Sequence, residues 1–335
     1  MTGPADVARR SSALAQRLRI RQLQVIVAIA EQRSLLAASR SLGISQPALS
    51  KALQEIEDTL GVRIFDRMSR GVVPNAYGQA ILIRARTVLA ELNRIGDDLV
   101  QIAQQSAGTV VIGALPTAAA GILPATLARL RARHPRLGVK VLQGRTHDLL
   151  PLLESGGLDV VVGRLYPPDT PDDFHREVLY DEPISVLARA GHPIFESGAD
   201  GALAAYDLVL PSLEQRMGQE VDQVLGAFGD RLPKPLLRAS SLSFIRELIL
   251  SGDGLAILPR LTMAGDLLRG TIRVVPVEIQ TPRRPAGLIT LRHRARSPGL
   301  TALEAALRDY LAEARSTGLF DTAPEVRRAG ITSGL

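Results

Sequence analysis

The chain of 335 residues contains no cysteine and no tryptophan, and aromatic residues make up only 3% of it. The absence of cysteine excludes disulfides, thiolate chemistry and cysteine-based metal sites, and it fits a reducing compartment, which we expect to be the cytoplasm. Lysine is also rare, with three among the 40 basic residues: Lys51, Lys140 and Lys234. No apolar run approaches the length that spans a bilayer, and the first residues lack a signal-peptide pattern, so we expect no membrane partner.

Residue patterns typical of enzymes are missing as well. The five histidines are scattered without the spacing of a zinc site, and there is no nucleophile elbow, P-loop or dinucleotide-binding glycine motif. His147 and Asp148 are the one pair suited to acid–base work, and a solvated first helical turn explains them better. We therefore predict that the chain is not an enzyme and needs no metal and no cofactor, with a hydrolase as an unfavoured alternative.

Basic residues are concentrated near the N-terminus. Residues 1–88 contain 13 Lys and Arg against 6 Asp and Glu, a balance of +7, whereas the whole chain carries +6. Positive charge confined to one segment is typical of a module that binds nucleic-acid phosphates.

A helix-turn-helix pattern lies within this basic segment. Gly43 provides a tight turn after one short helix, and Ser45 caps a second helix with Pro in its first turn. The apolar residues of the second helix recur at helical spacing and predict a buried stripe: Leu49, Leu53, Ile56 and Leu60. Its other face suits base edges and phosphates of the DNA major groove, and we assign DNA contact to Gln46, Pro47, Ser50 and Lys51. The alternative, equally weighted for Gln54, is an ordinary solvated surface.

A wing is predicted next along the chain. Residues 62–67 read as a strand, 68–71 as a turn and 72–73 as a return strand. Arg67 and Arg70 near the tip are candidates for contact with a phosphate or the narrow minor groove. For Arg67 the alternative is an ion pair with Asp66 or Glu57 that braces the wing.

A long helix capped by Asn75 is predicted after the wing. Its apolar residues alternate at spacings of four and three, as in a coiled coil, and form a candidate dimer seam: Ile81, Ala85, Val88, Leu92, Ile95 and Leu99. The alternative is a helix packed on its own domain. Gly96 within it costs about 1 kcal/mol relative to alanine and marks either close packing or a bend.

The remainder alternates strands and helices, which predicts two α/β lobes, each with a parallel sheet covered on both faces. We expect helices at 117–133, 146–155 and 299–315, with a return to the first lobe through 286–292. The predicted division of the chain is a disordered N-terminal extension at 1–17, a winged helix-turn-helix domain at 18–75, a dimerisation linker helix at 76–105, an effector-binding domain at 109–316 and a flexible tail at 317–335. Within the effector-binding domain, lobe 1 comprises 109–177 and 283–316, and lobe 2 comprises 178–282.

Ligands of such lobes bind at the carboxyl ends of strands, where helix N-termini point into the cleft. That rule nominates six effector-binding residues: Pro116, Thr117, Arg145, Thr146, Arg164 and Ser241. The three hydroxyl residues have plain helix capping as an equal alternative. For Arg164 the alternative is an ion pair between lobes with Asp169 or Asp172. Two arginines at the cleft predict a small organic anion as the effector.

The ordered motifs resemble those of the LysR-type transcriptional regulators. The resemblance is carried by residues 18–23, 37–51, 57–67 and Gly78, and it extends over about residues 18–316. Asn75 stands where that family usually has Thr, and it caps a helix equally well. Within the family, the recognition segment and residues 161–164 are most similar to regulators of sugar-binding-protein or protocatechuate-catabolic genes.

The resemblance implies an α+β chain of two parts. These are an N-terminal winged helix-turn-helix with a long coiled-coil linker helix, and an effector domain similar to periplasmic binding proteins. It also implies four kinds of partner: promoter DNA, a small-molecule effector, further copies in a homodimer or homotetramer, and RNA polymerase. Two alternatives remain: a non-specific DNA-binding protein that needs no ligand, and a small-molecule-binding protein.

Overall fold

In the computed structural model of the chain, the described residues are 18–68, 71–104, 108–167, 172–197, 203–226, 237–277, 279, 282–292 and 294–322. They divide into two compact units, which we describe separately. The N-terminal unit is Met1–Gly108 with His147–Leu158, and the C-terminal unit is Thr109–Thr146 with Asp159–Leu335. The predicted extension at 1–17 lies outside the described residues.

Up to residue 104, the described part of the N-terminal unit consists of three short helices, a two-stranded wing and one long helix. In chain order these elements are α1 (Ile20–Gln32), α2 (Leu35–Ser41), α3 (Gln46–Leu60), β1 (Phe65–Met68), β2 (Gly71–Pro74) and α4 (Ala76–Gln104). Ser34 and Ser45 cap α2 and α3 by accepting hydrogen bonds from the backbone N–H groups three residues on. The apolar faces of the helices, the wing and the start of α4 share one core.

The wing is shorter at its start than the sequence predicts, and it extends further toward its tip. Glu57 Oε1 accepts hydrogen bonds from the backbone N–H groups of Ile64 at 2.8 Å and Phe65 at 3.4 Å, so this entry segment is tied to α3. The strands begin at Phe65 and Gly71, and both are longer at the tip than predicted. Gly71 is required there because its φ is +126° and an added Cβ would overlap the carbonyl oxygen of Arg33.

Helix α4 begins as predicted, because Asn75 Oδ1 accepts a hydrogen bond from Gly78 N at 3.0 Å. Helix α4 contacts α1 of the same chain, and the prediction of the dimer seam is wrong at the buried Ala85. Ala85 is only 2% exposed, and Ile81 packs on the N-terminal core. A Cβ added at Gly96 would have no neighbouring atom within 4 Å in the described part of the chain, so this glycine does not mark close packing against those residues.

Later seam positions remain accessible. Val88 and Ile95 are 45% and 56% exposed, and Leu92 is half-buried. The side chain of Leu99 lies outside the described residues. Among the side chains that the structure describes, α4 therefore leaves apolar residues accessible from about residue 88 onward.

From residue 109 onward the chain alternates strands and helices. In chain order the elements are β3 (Thr109–Ala114), α5 (Pro116–Gly121), α6 (Leu123–Arg133), β4 (Gly138–Gln143), α7 (Thr146–Glu154), β5 (Val160–Arg164), β6 (Phe174–Asp181), β7 (Ile184–Arg189), α8 (Ile194–Ser197), β8 (Leu208–Pro211), α9 (Arg216–Gly226), β9 (Leu237–Ala239), α10 (Leu242–Ser251), β10 (Leu255–Pro259), α11 (Ala264–Arg269), β11 (Ile272–Val274), β12 (Pro285–Leu291), α12 (Pro298–Glu313) and β13 (Asp321–Thr322). Three short 3-10 helices lie at Leu203–Ala205, Arg260–Met263 and Ala314–Thr317.

These strands form two sheets, one for each lobe. Lobe 1 has a six-stranded sheet in the order β13-β6-β12-β5-β3-β4, and lobe 2 has a five-stranded sheet in the order β11-β7-β10-β8-β9. Both sheets are mixed: β3, β4 and β5 are parallel in lobe 1, as are β8, β9 and β10 in lobe 2, while the strands next to the crossovers run antiparallel. The expectation of parallel sheets is therefore wrong, because β7, where the chain enters lobe 2, and β12, where it returns to lobe 1, run antiparallel to the strands on either side of them.

Three details of the predicted division also need correction. Strand β6 pairs with β12 as far as Asp181, so lobe 1 extends past residue 177. The predicted helix 117–133 is two helices, Pro116–Gly121 and Leu123–Arg133, and Pro124 lies in the first turn of the second. Leu319 and Phe320 are buried and β13 pairs with β6, so the chain is packed through residue 322, beyond the expected start of the tail at 317.

No helix in the described parts of the chain combines the length and the apolar surface needed to cross a bilayer.

Candidate DNA-binding surface and ligand site

The recognition helix α3 has the two faces that its sequence predicts. Its buried residues are Leu49, Leu53, Ile56 and Leu60. On the other face Gln46, Pro47, Lys51 and Gln54 are exposed, and Ser50 is half-buried. Lys51 Nζ lies 4.0 Å from Glu55 Oε1, and both side chains are more than half exposed, so this pair constrains the ammonium group only weakly.

A groove of about 1250 Å³ runs between α3 and the wing. Its polar lining includes Ser50, Lys51 and Gln54 from the helix and Arg67 from the wing. Arg63, which was not predicted from the sequence, is exposed and also lines it. The position of Arg63 just before the wing strand was the available signal. The carboxyl groups of Glu57, Asp58 and Asp66 also line it. Hydroxyl, amide and cationic groups suited to bases and phosphates thus share this surface with carboxylates, one of which, Glu57, binds the wing backbone.

Arg67 is exposed and has no ion-pair partner among the residues that the structure describes. Glu57 instead braces the wing through the backbone N–H groups of Ile64 and Phe65. The alternative in which Arg67 braces the wing through an ion pair with Asp66 or Glu57 is therefore wrong. Arg70 lies outside the described residues.

The carboxyl ends of the parallel strands meet at one edge of each lobe. In lobe 1, Ala114 is in register with Gln143 and with Val162, so the residues after β3, β4 and β5 share an edge. In lobe 2, Pro211 is in register with Ala239, which puts the ends of β8 and β9 side by side. The topology therefore gathers the predicted effector residues at two strand edges, as the binding rule for α/β sheets requires.

The hydroxyl and basic candidates differ in their surroundings. Ser241 is the N-cap of α10, because its Oγ accepts a hydrogen bond from Phe244 N at 3.2 Å. Thr117 is not a cap: α5 begins at Pro116 after Leu115, and the Thr117 side chain is buried. Thr146 is the first residue of α7 and is half-buried, while Arg145 beside it is exposed.

Ser241 also belongs to a pocket of about 710 Å³ at the strand edge of lobe 2. The pocket is lined by Ser212, Leu213, Glu214, Arg238, Ala239, Ser240, Ser241 and Phe244. Phe244 is 51% exposed although it is aromatic, and it provides an apolar wall beside the serine hydroxyls. The pocket thus offers both apolar and hydrogen-bonding surface to a small molecule.

Arg164 joins the two lobes, as the alternative interpretation predicted, but through different partners. Its Nε lies 3.8 Å from Glu220 Oε1 on α9 of lobe 2, and its Nη1 donates a hydrogen bond to Pro285 O at 2.8 Å. Asp172 is paired instead with Arg176, and Asp169 lies outside the described residues. Burial and the nearby charge of Arg284 lower the pKa of Arg164.

Three residues of this junction were missed by sequence reasoning: Glu182, Glu220 and Arg284. Arg284 Nη1 lies 2.5 Å from Glu220 Oε2, and Arg284 Nε donates to the backbone oxygen of Glu182 at 3.1 Å. Glu182 and Arg284 face each other on the two crossover segments, because Glu182 N also donates to Arg284 O at 2.9 Å. A basic residue immediately before the returning strand was the only sequence signal, and the partners are far apart in the chain.

Burial sets the protonation of this junction. It raises the pKa of Glu182 to about 7, although Arg284 and Arg164 oppose that change. It also raises the pKa of Tyr166 to about 12, with the negative charge of Glu220 adding to the effect. The guanidinium of Arg216, from the start of α9, lies 3.6 Å from the centroid of the Tyr166 ring. The junction therefore brings three guanidinium groups together with two carboxyl groups, and burial raises the pKa of one of them, Glu182.

Catalytic and metal-binding arrangements receive no support. His147 Nε2 lies 3.3 Å from Asp148 Oδ1, but both side chains are mostly exposed at the start of α7. The described residues contain no cluster of His, Asp or Glu suited to hold a metal ion.

A winged helix-turn-helix with a polar groove, followed by two lobes of which one has a pocket at its strand edge, is the arrangement of a ligand-responsive DNA-binding protein. Comparison with known proteins agrees with this class. The sequence profile of the bacterial regulatory helix-turn-helix of the lysR family matches residues 20–79, and that of the LysR substrate binding domain matches residues 103–312.

Similar proteins cover nearly the whole chain. The transcriptional regulator PcaQ of Agrobacterium fabrum is 33% identical over 302 residues, which are 89% of this chain and 96% of PcaQ. The transcriptional dual regulator OxyR of Escherichia coli is 32% identical over 314 residues, 91% of this chain and 98% of OxyR. A solved full-length OxyR variant from Pseudomonas aeruginosa has a TM-score of 0.60 and 26% identity, covering 92% of this chain and 98% of that one.

The chain therefore belongs to the LysR family of DNA-binding transcriptional regulators, with an effector-binding domain. This family is not enzymatic, in agreement with the prediction from sequence.

Proposed function

We propose that this chain is a homodimeric or homotetrameric regulator of promoter DNA whose effector is a small organic anion bound between the lobes. The observation that carries the DNA-binding part is the exposed polar face of α3 beside the wing, where Ser50, Lys51 and Gln54 line one groove with Arg63 and Arg67, although acidic side chains line it as well. Gln46 and Ser50 would contact base edges, and Lys51 would contact a phosphate. Arg67 and Arg70 would bind the DNA backbone or the minor groove.

Pairing of two copies is supported by the exposed apolar strip of α4. Val88 and Ile95 are accessible and Leu92 is half-buried, at the four-three spacing of a coiled coil. A pair of recognition helices reads a two-fold-related DNA site and roughly doubles the number of base contacts.

The anionic effector is inferred from the charges at the strand edges. Arg145 is exposed at the end of β4, and Arg164 ends β5 at the same edge of the sheet. Thr117 and Thr146 at this edge, and Ser241 at the edge of lobe 2, would add hydroxyl contacts. An effector that prefers one arrangement of the lobes would shift the population of DNA-bound states, and with it the access of RNA polymerase to the promoter.

DNA binding is tested with the purified protein and fragments from upstream of its own gene. Gln46→Ala should reduce discrimination between the specific and a scrambled fragment by roughly 1–3 kcal/mol. Gln24→Ala is the matched control, because Gln24 is an exposed glutamine of α1, whereas Gln46 is exposed at the start of α3. Equal, sequence-independent binding by both variants and the wild type would indicate a non-specific DNA-binding protein.

The effector class is tested by thermal shift with a panel of organic anions and neutral compounds of the same size. We expect stabilisation by one or more carboxylates, and loss of that stabilisation in Arg145→Gln. Tight binding confined to neutral compounds would show that the effector is not an anion.

A further inference from the structure

Two buried guanidinium groups meet at the junction of the lobes, and both are directed to one carboxylate. Arg284 is 5% exposed at its side chain, Arg164 is 13% exposed, and Glu220 is 16% exposed. Arg164 and Arg284 come from lobe 1 and its crossover, whereas Glu220 is on α9 of lobe 2. Glu220 is thus the acidic side chain that connects the arginine pair to the other lobe.

The fit between Glu220 and the arginines is incomplete. Arg164 Nε and Glu220 Oε2 are buried, and neither makes a hydrogen bond in the described structure, although both lie within ion-pair distance of a partner. A carboxylate that binds arginine well forms two parallel N–H···O bonds, which this arrangement does not provide. The carboxylate of a free ligand is not attached to α9, so it could hydrogen-bond to both arginines with better geometry than the side chain of Glu220 does.

The side chain of Glu182 does not supply the hydrogen bonds that the two arginines lack. It is 1% exposed, and neither of its carboxyl oxygens has a hydrogen-bond partner in the described structure. Its backbone oxygen, not its side chain, accepts the hydrogen bond from Arg284 Nε. The arginine pair therefore has one engaged carboxylate, and that carboxylate belongs to the opposite lobe.

We propose that Arg164 and Arg284 form a carboxylate-binding site that Glu220 occupies in this conformation, and that a carboxylate ligand binds there by displacing Glu220. The inference rests on the proposed anionic effector and gives it a location. Displacement would release α9 from the crossover and uncouple the lobes at this point, so binding and lobe arrangement would be linked through one side chain. Tyr166, next to Arg164 and under Arg216, would form the apolar wall of the site.

Chemical rescue tests the site. Glu220→Ala removes the internal carboxylate and leaves room for acetate, which is the probe. Acetate should raise the melting temperature of Glu220→Ala at concentrations about tenfold or more below those that affect the wild type, because charged hydrogen bonds of this kind change affinity by at least that factor. The same titration of Glu247→Ala, which removes an exposed glutamate of lobe 2 that pairs with Arg246, should match the wild type.

The arginine dependence is tested in the double variant Glu220→Ala with Arg284→Gln, which should lose the gain in acetate binding. If Glu220→Ala does not fold, the isosteric Glu220→Gln replaces it, with acetate binding measured by calorimetry. An acetate affinity equal to that of the wild type in the folded variant overturns the proposal, as does a gain that persists without Arg284.

This result is separable from the effector class. Organic anions that stabilise the wild type while acetate fails to rescue Glu220→Ala would leave the proposed function intact and refute the displacement site. Rescue by acetate in a protein whose wild type responds only to neutral compounds would support the carboxylate site and refute the proposed effector class.

Discussion

Replacement of Glu182 by glutamine measures the cost of burying a carboxyl group at the lobe crossover. The folded protein raises the pKa of Glu182 from 4.5 to about 7, chiefly through burial. Below about pH 4.5 the folded and unfolded states are both protonated, and the residue has no effect on the pH dependence of stability. As the pH rises toward 7, the unfolded chain releases this proton while the folded protein retains it, so stability falls, and the loss is complete above about pH 7.

The expected size of this loss follows from the same pKa values. A carboxyl group with a pKa of 4.5 unfolded and about 7 folded lowers the free energy of unfolding by about 3 kcal/mol above neutrality. Glutamine resembles the protonated form and does not titrate. The stability of Glu182→Gln relative to the wild type should therefore rise between about pH 5 and about pH 8 by up to this amount.

Urea unfolding followed by circular dichroism across this pH range provides the measurement. Glu247→Gln, which changes an exposed glutamate of the same lobe, is the matched control and should follow the wild type. Parallel stability profiles for the wild type and Glu182→Gln would disprove this explanation, as would a difference that shrinks as the pH rises.

Three further outcomes are expected. Gly78→Ala should destabilise the N-terminal unit by about 1–3 kcal/mol, because the added Cβ would overlap the carbonyl oxygen of Ile64. Gly96→Ala should stabilise the unit by up to about 1 kcal/mol, because Gly96 lies in open space within α4. Thermal unfolding that gave the two variants the reverse order of stability would contradict these packing arguments. Arg67→Ala should weaken binding to all DNA sequences alike and reduce the salt slope by about one, and a change confined to one sequence would contradict a phosphate contact. Leu92→Asp should dissociate the oligomer in sedimentation velocity, and an unchanged sedimentation coefficient would exclude α4 as the pairing surface.

Local signals explain why the DNA-binding part was predictable. Ser45 and Pro47 mark the start of α3 by chemistry confined to a few residues, and the stripe from Leu49 to Leu60 follows from helical spacing. The observed wing strands differ from the predicted ones by a few residues. The reason is that the side chain of Glu57, which lies several positions earlier in the sequence, binds the backbone N–H of Ile64. Hydrogen bonds of that kind leave no periodic pattern.

The ligand-binding part was predictable in outline and not in its contacts. Alternating strands and helices indicated two lobes, and the strand-end rule selected Arg164 and Ser241. The junction was missed because Arg284 and Glu220 approach Arg164 from distant positions in the chain. Burial of Ala85 was missed for a related reason: the four-three spacing of α4 does not distinguish a partner helix from α1 of the same chain.

Sequence-specific DNA binding by the full chain underlies every functional proposal made for it, and the ratio of two dissociation constants is its sharpest test. These are the constants for a fragment from upstream of the chain's own gene and for a scrambled fragment of equal length and composition, both at physiological salt. We expect at least about 10³-fold tighter binding to the specific fragment, with affinity for both falling steeply as salt increases. Equal affinity for the two fragments would contradict sequence-specific recognition.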